Sequence, residues 1–259
     1  MYGVCHLSAV PCRKEASDRS EMVNQLLFGD AFRVVEKRDS WHRITTVRDR
    51  YDCWIDRKQY IEISKNTFDA LEHETHPVTS DLFSIITDVG AAVSFPVSLG
   101  CTLPFFSNGK CQVDNRVYTF EGDFFSPADK VSRNRIVETA MSFLNAPYLW
   151  GGRTPFGLDC SGFTQVVFKA NGIYLKRDAY QQAEYGSPYS FVEEAQPGDL
   201  AFFDNEEGRI THVGIVLDDN KIIHASGRVR IDHFDHYGIF TPERGGYTHN
   251  LRVIKNVAG

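Results

Sequence analysis

The stretch from Tyr148 to Phe163, YLWGGRTPFGLDCSGF, constrains the fold more than any other part of the chain. Its first half is rich in glycine and proline, which excludes a regular helix or strand interior there. After Cys160, apolar residues recur at the spacing of a helix, and Asn171-Gly172 is typical of a helix end: Phe163, Val166, Val167 and Ala170. The sequence therefore predicts that Cys160 lies where a loop enters a helix.

This position suits a reactive cysteine. The N-terminus of a helix carries partial positive charge and unpaired N–H groups. Both favour the thiolate, which is the nucleophilic form, and the same N–H groups can hold an oxyanion. Cys160 is therefore predicted to be a nucleophile, and the alternative is a buried, inert cysteine.

Two histidines downstream of Cys160 are candidates for its base and for the group that orients that base. His212 and His224 lie in β-type runs joined by a short polar turn at residues 218–221, which predicts a hairpin. Antiparallel pairing would bring both rings to one face of the sheet. His212 would then be the base and His224 the orienting partner. The alternative is a metal site with Cys160, which needs a fourth ligand or water.

Several motifs resemble those of the NlpC-type cell-wall cysteine peptidases, in that family's order and over about the C-terminal half. They are the Tyr148-x-Trp150-Gly-Gly run, Asp-Cys-Ser-Gly at 159–162, Pro-Gly-Asp-Leu at 197–200, Thr-His-Val-Gly-Ile-Val at 211–216 and Ile-His-Ala at 223–225. The resemblance implies a circularly permuted papain-like domain that cuts peptidoglycan peptides and needs no cofactor or metal. It also implies that the Tyr148 phenol donates to the oxyanion beside the Cys160 N–H. Trp150 would line the substrate pocket or simply pack.

Residues next to the cysteine have two interpretations each. Asp159 and Ser161 are good helix-capping residues, and the resemblance adds contacts with the substrate. Asp159 should raise the pKa of Cys160 unless it faces a cation, which a substrate ammonium group would provide. Arg177 is either a ligand of a substrate carboxylate or an ordinary exposed arginine.

The N-terminal half alternates short β-type runs with polar turns, which is typical of small barrels. Residues 1–63 resemble a bacterial SH3-like domain, with predicted strands at 2–10, 25–28, 31–36, 41–47 and 53–55 and with Cys53 where glycine is common. In the resembled enzymes, positions matched by Glu21 and Tyr51 close off the substrate cleft. Otherwise both are solvated surface residues.

Residues 64–125 are predicted to form a second, divergent SH3-like barrel, with a connector at 65–77 and strands at 99–106 and 117–122. Residues 126–259 are the predicted peptidase domain. A first helix begins at Ser126-Pro127-Ala128-Asp129, a short one spans 177–185, and five strands follow from residue 200. The predicted fold class is α+β, with two β-barrels before the catalytic domain.

Composition limits the partners and the compartment. A formal net charge of −6 without a basic run excludes a typical nucleic-acid-binding protein. With Cys160 as nucleophile, an odd number of the six cysteines remains, which favours reduced thiols. No apolar run is long enough for a membrane span, and no leader is evident. We expect a cytoplasmic protein, or a periplasmic or secreted one whose leader preceded Met1.

These observations predict a cysteine endopeptidase. The resemblance implies hydrolysis of the bond between D-γ-glutamate and a diamino acid in murein tripeptides or tetrapeptides with a free N-terminal L-Ala. The alternatives are a module that binds cell-wall peptide and a Cys/His amidase or acyltransferase. The sequence leaves open the oligomeric state and the choice between diaminopimelate and lysine.

Overall fold

The computed structural model describes residues 1–258, which form two compact units. The first unit contains residues 1–129 and the segment 150–155, and the second contains residues 130–149 and the chain from 156 onward.

The first unit opens with a seven-stranded antiparallel sheet of spatial order β3-β2-β6-β5-β4-β1-β7. Its strands are β1 (Tyr2–Val4), β2 (Ala9–Arg13), β3 (Met22–Leu27), β4 (Ala31–Arg38), β5 (Trp41–Thr46), β6 (Asp52–Asp56) and β7 (Ile61–Ile63). The predicted single strand 2–10 is wrong, because β1 and β2 are separate and β1 pairs with β4 and β7. Alternate inward side chains such as Val10, Phe32 and Ile44 make its core.

The remainder of the first unit begins with helix α1 (Lys65–His73), capped by the Ser64 side chain, which accepts from Thr67 N. The prediction of a connector at 65–77 is therefore wrong, because Phe68 and Leu71 bury one face of a helix there. The strands that follow are β8 (Val78–Thr79), β9 (Phe83–Asp88), β10 (Val93–Ser98), β11 (Lys110–Val113), β12 (Arg116–Phe120) and β13 (Phe124–Phe125), and later β14 (Arg153–Thr154).

Strands β9 to β12 form a four-stranded sheet of order β10-β9-β12-β11, and β8 pairs with β13. The predicted strand 117–122 corresponds to β12, but that at 99–106 is wrong. Gly100 and Phe105 both have positive φ there, and Pro104 has no N–H for a ladder. Only Thr102 makes an isolated bridge, to Val78.

The second unit combines three helices with a sheet of order β16-β22-β17-β18-β19-β20-β21. Its elements are α2 (Arg133–Met141), β15 (Gly157–Leu158), α3 (Cys160–Lys169), α4 (Ala179–Gln182), β16 (Ser187–Pro188), β17 (Leu200–Asp204), β18 (Ile210–Leu217), β19 (Lys221–Ser226), β20 (Arg228–Phe234), β21 (Gly238–Thr241) and β22 (Gly246–Asn256). The long strand β22 pairs with both β17 and β21, so these strands form a ring. The five predicted strands from residue 200 are confirmed.

Two predicted helix boundaries are wrong. Helix α2 begins at Arg133, because the chain at Ser126 makes a turn in which Ser126 N donates to the Asp129 carboxylate at 2.7 Å. The short helix expected at 177–185 has only four residues, Ala179–Gln182.

Helix α3 is the central element of the second unit, and every one of its residues is buried. It packs against α2, β18 and β19. Its polar side chains have partners: Thr164 Oγ1 donates to Gln182 Oε1 at 2.6 Å, and Gln165 Nε2 to Leu175 O at 3.1 Å. These buried hydrogen bonds hold α3 within the second unit.

All six cysteines are free thiols. Among residues 1–258, none of the helices has the length and apolarity to cross a bilayer.

Candidate active site

Cys160 is the first residue of α3, as predicted. Asp159 is its N-cap: the backbone is extended there, and the carboxylate accepts from Gly162 N at 2.7 Å. Cys160 is 8% exposed, and its thiol donates weakly to Thr211 O, 3.9 Å away on β18. The turn of the helix therefore holds the thiol against the strand that carries the predicted base.

The two predicted histidines meet across the β18–β19 hairpin. His224 on β19 lies opposite Gly214, so His212, two residues earlier on β18, is its diagonal neighbour. His212 Nε2 and His224 Nδ1 are 2.8 Å apart. A side chain at Gly214 would clash with the His224 Cβ, at 2.9 Å from an added Cβ. The hairpin prediction and the proximity of the two rings are confirmed.

The hydrogen-bonded chain continues beyond the two histidines. His224 Nε2 lies 3.0 Å from Asp232 Oδ2 on β20. Arg230 Nη2 donates to the other oxygen, Oδ1, at 2.8 Å, and Arg230 also pairs with Glu243. His224 is 1% exposed and Asp232 5%, so this contact is shielded from water. Asp232 was not among the residues predicted from the sequence.

A third histidine, also missed, covers His212. The His249 ring on β22 stacks on the His212 ring, with centroids 4.1 Å apart and planes at 27°. Its Nδ1 lies 2.9 Å from Thr248 Oγ1. Neither Asp232 nor His249 belongs to a recognisable local motif, and only the order of strands in the ring places them here.

A cleft of about 270 Å³ lies within the second unit, next to the histidine pair. Tyr148, Cys160, His212 and His249 all line it. The cleft therefore presents a thiol, two imidazoles and a phenol to the same space.

The expected thiolate is not the resting form of Cys160. Burial, and next the charge of Asp159, raise the pKa of Cys160 to about 12, against the smaller downward effect of Arg177 and of the Val213 and Ser161 N–H groups. Burial lowers the pKa of His212 well below its usual value, helped by His224 and His249. The predicted lowering of the thiol pKa is therefore wrong, because desolvation outweighs the helix terminus. Thiol and imidazole are both neutral near pH 7.

Tyr148 keeps its phenolic proton. Burial raises its pKa, and the neighbouring Cys160 and Asp159 raise it further. Its backbone is held by the hydrogen bond from Tyr148 N to Gly227 O at 3.0 Å. The cleft thus contains a fixed O–H donor beside the thiol.

Arg177 is a buried structural cation, 1% exposed. Its Nη2 lies 2.6 Å from Asp159 Oδ2, and its Nη1 donates to Asp159 Oδ1 and to Ser161 Oγ, both at 3.0 Å. The interpretation of Arg177 as an exposed arginine is wrong. Asp159 faces a cation of the chain itself, so a substrate ammonium is not needed to neutralise it.

Three other predicted binding residues lie in the first unit. Trp150 Nε1 donates to Glu21 Oε1 at 2.7 Å, so the structure brings these two together. Glu21 also pairs with Lys14 at 3.3 Å, and Trp150 is 59% exposed. Tyr51 packs partly buried against the first sheet's core. The side chains of Glu21 and Trp150 thus form an accessible polar and aromatic surface.

No group of three or more His, Cys, Asp or Glu side chains within residues 1–258 is arranged to hold a metal ion.

Residues 145–243 match the sequence profile of the NlpC/P60 family, and residues 12–59 match that of the bacterial dipeptidyl-peptidase SH3 domain. The chain therefore carries an NlpC/P60 domain preceded by a bacterial SH3 domain.

Two curated proteins and one solved structure are similar to this chain. The γ-D-glutamyl-L-lysine dipeptidyl-peptidase of Bacillus cereus is 29% identical over 242 residues, which are 81% of this chain and 68% of that protein. The enzyme of the same name from Bacillus subtilis is 46% identical over 92 residues, 35% of this chain and 31% of that protein. A solved NlpC/P60 family protein from Bacillus cereus covers both chains completely with a TM-score of 0.82. Its 22% identity supports the fold alone.

Proposed function

We propose that this chain is a cysteine peptidase in which Cys160 attacks a peptide carbonyl. The observation that carries the proposal is the His212–His224 pair, joined at 2.8 Å, beside a thiol at a helix N-terminus in one cleft. His212 takes the thiol proton as the Sγ–C bond forms, because the thiol is neutral at rest. It then gives this proton to the leaving amine, and water hydrolyses the thioester.

The oxyanion is held by two donors, the Tyr148 O–H and the Cys160 N–H. Tyr148 is suited to this because its raised pKa keeps the phenol protonated. The N–H of Cys160 is one of the N–H groups that the first turn of α3 leaves without a helical partner.

The proposed bond is that between D-γ-glutamate and diaminopimelate or lysine in a murein tripeptide or tetrapeptide. Support comes from the relatives whose names specify a γ-D-glutamyl-L-lysine dipeptidyl-peptidase. We further propose that the substrate has a free N-terminal L-Ala, with Glu21 and Tyr51 binding its ammonium. Asp159 and Ser161 then act mainly by holding α3 and Arg177, and Trp150 by orienting Glu21.

The test compares L-Ala-γ-D-Glu-diaminopimelate with its N-acetylated form, with products identified by mass spectrometry. Cleavage is expected at the γ-glutamyl bond of the free peptide only, since an acetylated amine carries no positive charge for the Glu21 carboxylate to bind. Glu21→Gln should reduce this preference. Lys14→Met is the matched control, because it removes the exposed partner of Glu21 and keeps the carboxylate. Equal turnover of both peptides would refute the amine requirement, and no cleavage of either would refute the proposed bond.

Two other functions remain outcomes of the same experiment. Binding of the tripeptide without turnover would indicate a cell-wall-peptide-binding module. Transfer to an added amine or release of another acyl group would indicate an amidase or acyltransferase. A binding module does not explain why Cys160, His212 and Tyr148 share one cleft, whereas peptide hydrolysis and acyl transfer both use a nucleophile, a base and an oxyanion donor.

The finer features of the architecture are part of the proposal. We assign residues 1–63 and 64–125 to two SH3-like barrels and residues 126–259 to a circularly permuted papain-like domain. A cytoplasmic site of action fits the free thiols and a substrate released from the wall.

A further inference from the structure

We infer that Asp232 is a positioning residue for the reaction: clamped by Arg230, it fixes the tautomer of His224 and, through it, that of His212. The inference rests on the proposed function only where it concerns turnover. Its structural content, which nitrogen carries the proton on each ring, is testable without substrate.

The first step concerns His224. Its Nε2 lies 3.0 Å from Asp232 Oδ2, and an ionised carboxylate accepts hydrogen bonds only. Burial alone would raise the pKa of Asp232, but hydrogen bonds from His224 and Arg230 outweigh it and hold the pKa below its usual value. His224 Nε2 therefore carries the proton. In the neutral ring, Nδ1 is then left with a lone pair.

In the second step, the tautomer of His224 determines the tautomer of His212. Its Nε2 lies 2.8 Å from His224 Nδ1, which accepts, so His212 Nε2 must be the donor. A neutral His212 then has its lone pair on Nδ1, the nitrogen that does not face His224. The base is thus prepared for a proton from the cleft, where Cys160 lies. Without Asp232, nothing in the pair of rings distinguishes the two tautomers.

Arg230 keeps the carboxylate in this orientation. It donates to Oδ1 at 2.8 Å while His224 engages Oδ2, so both oxygens are used as acceptors. The same nitrogen, Arg230 Nη2, also pairs with Glu243, and Arg230 Nε lies 2.7 Å from Asp232 Oδ2. An asparagine offers only one acceptor, so at position 232 its amide NH₂ would face a donor on one side.

The negative charge also matters once His212 is protonated. The titratable and charged groups around the pair are His249, whose ring stacks on His212, and the ion pair of Arg230 and Asp232. Asp232 is the only carboxylate that contacts either ring among the described contacts, so it offsets the positive charge that develops during attack.

The direct test is ¹⁵N NMR of the histidine rings, which distinguishes Nε2–H from Nδ1–H. We expect both His224 and His212 of the unmodified protein in the Nε2–H form. This measurement needs no variant to fold. An Nδ1–H tautomer at His224 overturns the inference.

Variants then connect the tautomer to reactivity. Asp232→Asn is expected to lower kcat/KM by about 10-fold to 100-fold, less than the ~10²–10⁴-fold contribution of a general base itself. The acid limb of the pH profile should move to lower pH, since a positive His212 loses its nearest negative charge. Asp232→Glu, which restores the carboxylate, should recover part of the rate.

Asp235→Asn is the matched control. Asp235 lies just after β20, accepts from Tyr247 and two backbone N–H groups, and contacts no ring of the histidine pair among the described contacts. It should affect stability without shifting the pH profile or the tautomers. An Asp232→Asn profile that matches this control overturns the inference.

Alkylation of Cys160 by iodoacetamide separates this inference from the proposed function. If no murein peptide is cleaved but Asp232→Asn slows alkylation, the positioning role stands and the proposed substrate falls. If peptides are cleaved and neither alkylation nor turnover depends on Asp232, the proposed function stands and the positioning role falls.

Discussion

The buried ion pair beneath the nucleophile gives the sharpest prediction. Arg177→Met would leave the Asp159 carboxylate, 8% exposed, without the guanidinium that contacts both of its oxygens. Breaking a buried pair by removing one partner costs about 3–5 kcal/mol of unfolding free energy. Because the charge of Arg177 lowers the pKa of Cys160, its loss should also raise that pKa further and slow alkylation.

A double mutant makes this prediction specific. Asp159→Asn retains an oxygen that can accept from Gly162 N, so α3 keeps its cap. With Arg177→Met it leaves no unpaired charge, and replacing both members of a buried pair is often nearly neutral. We therefore expect the unfolding free energy of the double mutant to lie within about 2 kcal/mol of the parent's. It should be well above that of either single variant. Lys221→Met, which breaks an exposed pair in the same unit, should cost at most about 1 kcal/mol.

The assay must report on the correct unit. All three tryptophans lie in the first unit: Trp41, Trp54 and Trp150. Intrinsic fluorescence therefore follows the first unit and should be unchanged. Hydrogen exchange of the α3 amides in urea follows the second, which need not unfold together with the first. An Arg177→Met protein whose α3 amides lose less than about 1 kcal/mol of protection would refute the reasoning.

The remaining predictions concern the nucleophile, the histidines and pH. Cys160→Ala should abolish hydrolysis with an unchanged fold, and unchanged turnover would refute the mechanism. In the parent, iodoacetamide should label Cys160 ahead of the other thiols, because Cys160 lines a cleft. His224→Ala should cost less activity than His212→Ala; equal loss, with zinc in the purified protein by mass spectrometry, would favour a metal site. Burial lowers the pKa of His249 to about 4, so the unfolded chain binds a proton below pH 6.5 that the folded chain rejects. Stability should fall between pH 6.5 and 4, by roughly 2 kcal/mol at pH 5, and a urea midpoint that is flat over this range would contradict it.

Local sequence determined the parts of the site that depend on near neighbours. The start of α3 follows from Asp159, which caps it, and from the loop residues before it, all within one or two turns of Cys160. The histidine pair follows from a hairpin in which a short polar turn sets the register. Both are decided by contacts at small sequence separation, which a pattern can encode.

Local sequence did not predict the structure correctly where the same residues suited two conformations equally well. Ser126 and Ser132 are both acceptable residues before a helix, and the chain uses the first for a turn. Likewise the polar run after Lys65 has a helical apolar stripe in Phe68 and Leu71 that a connector does not need. The choice depends on what each segment can bury, which only the packed structure decides.

Tertiary structure alone decided the electrostatics of the site. Arg177 is 18 residues from Asp159, and its burial converts an expected substrate contact into an internal ion pair. Asp232 and His249 reach the histidine pair from β20 and β22 because the strands close into a ring. Burial also reversed the expected direction of the Cys160 pKa, because desolvation depends on everything packed around a group and not on its neighbours in sequence.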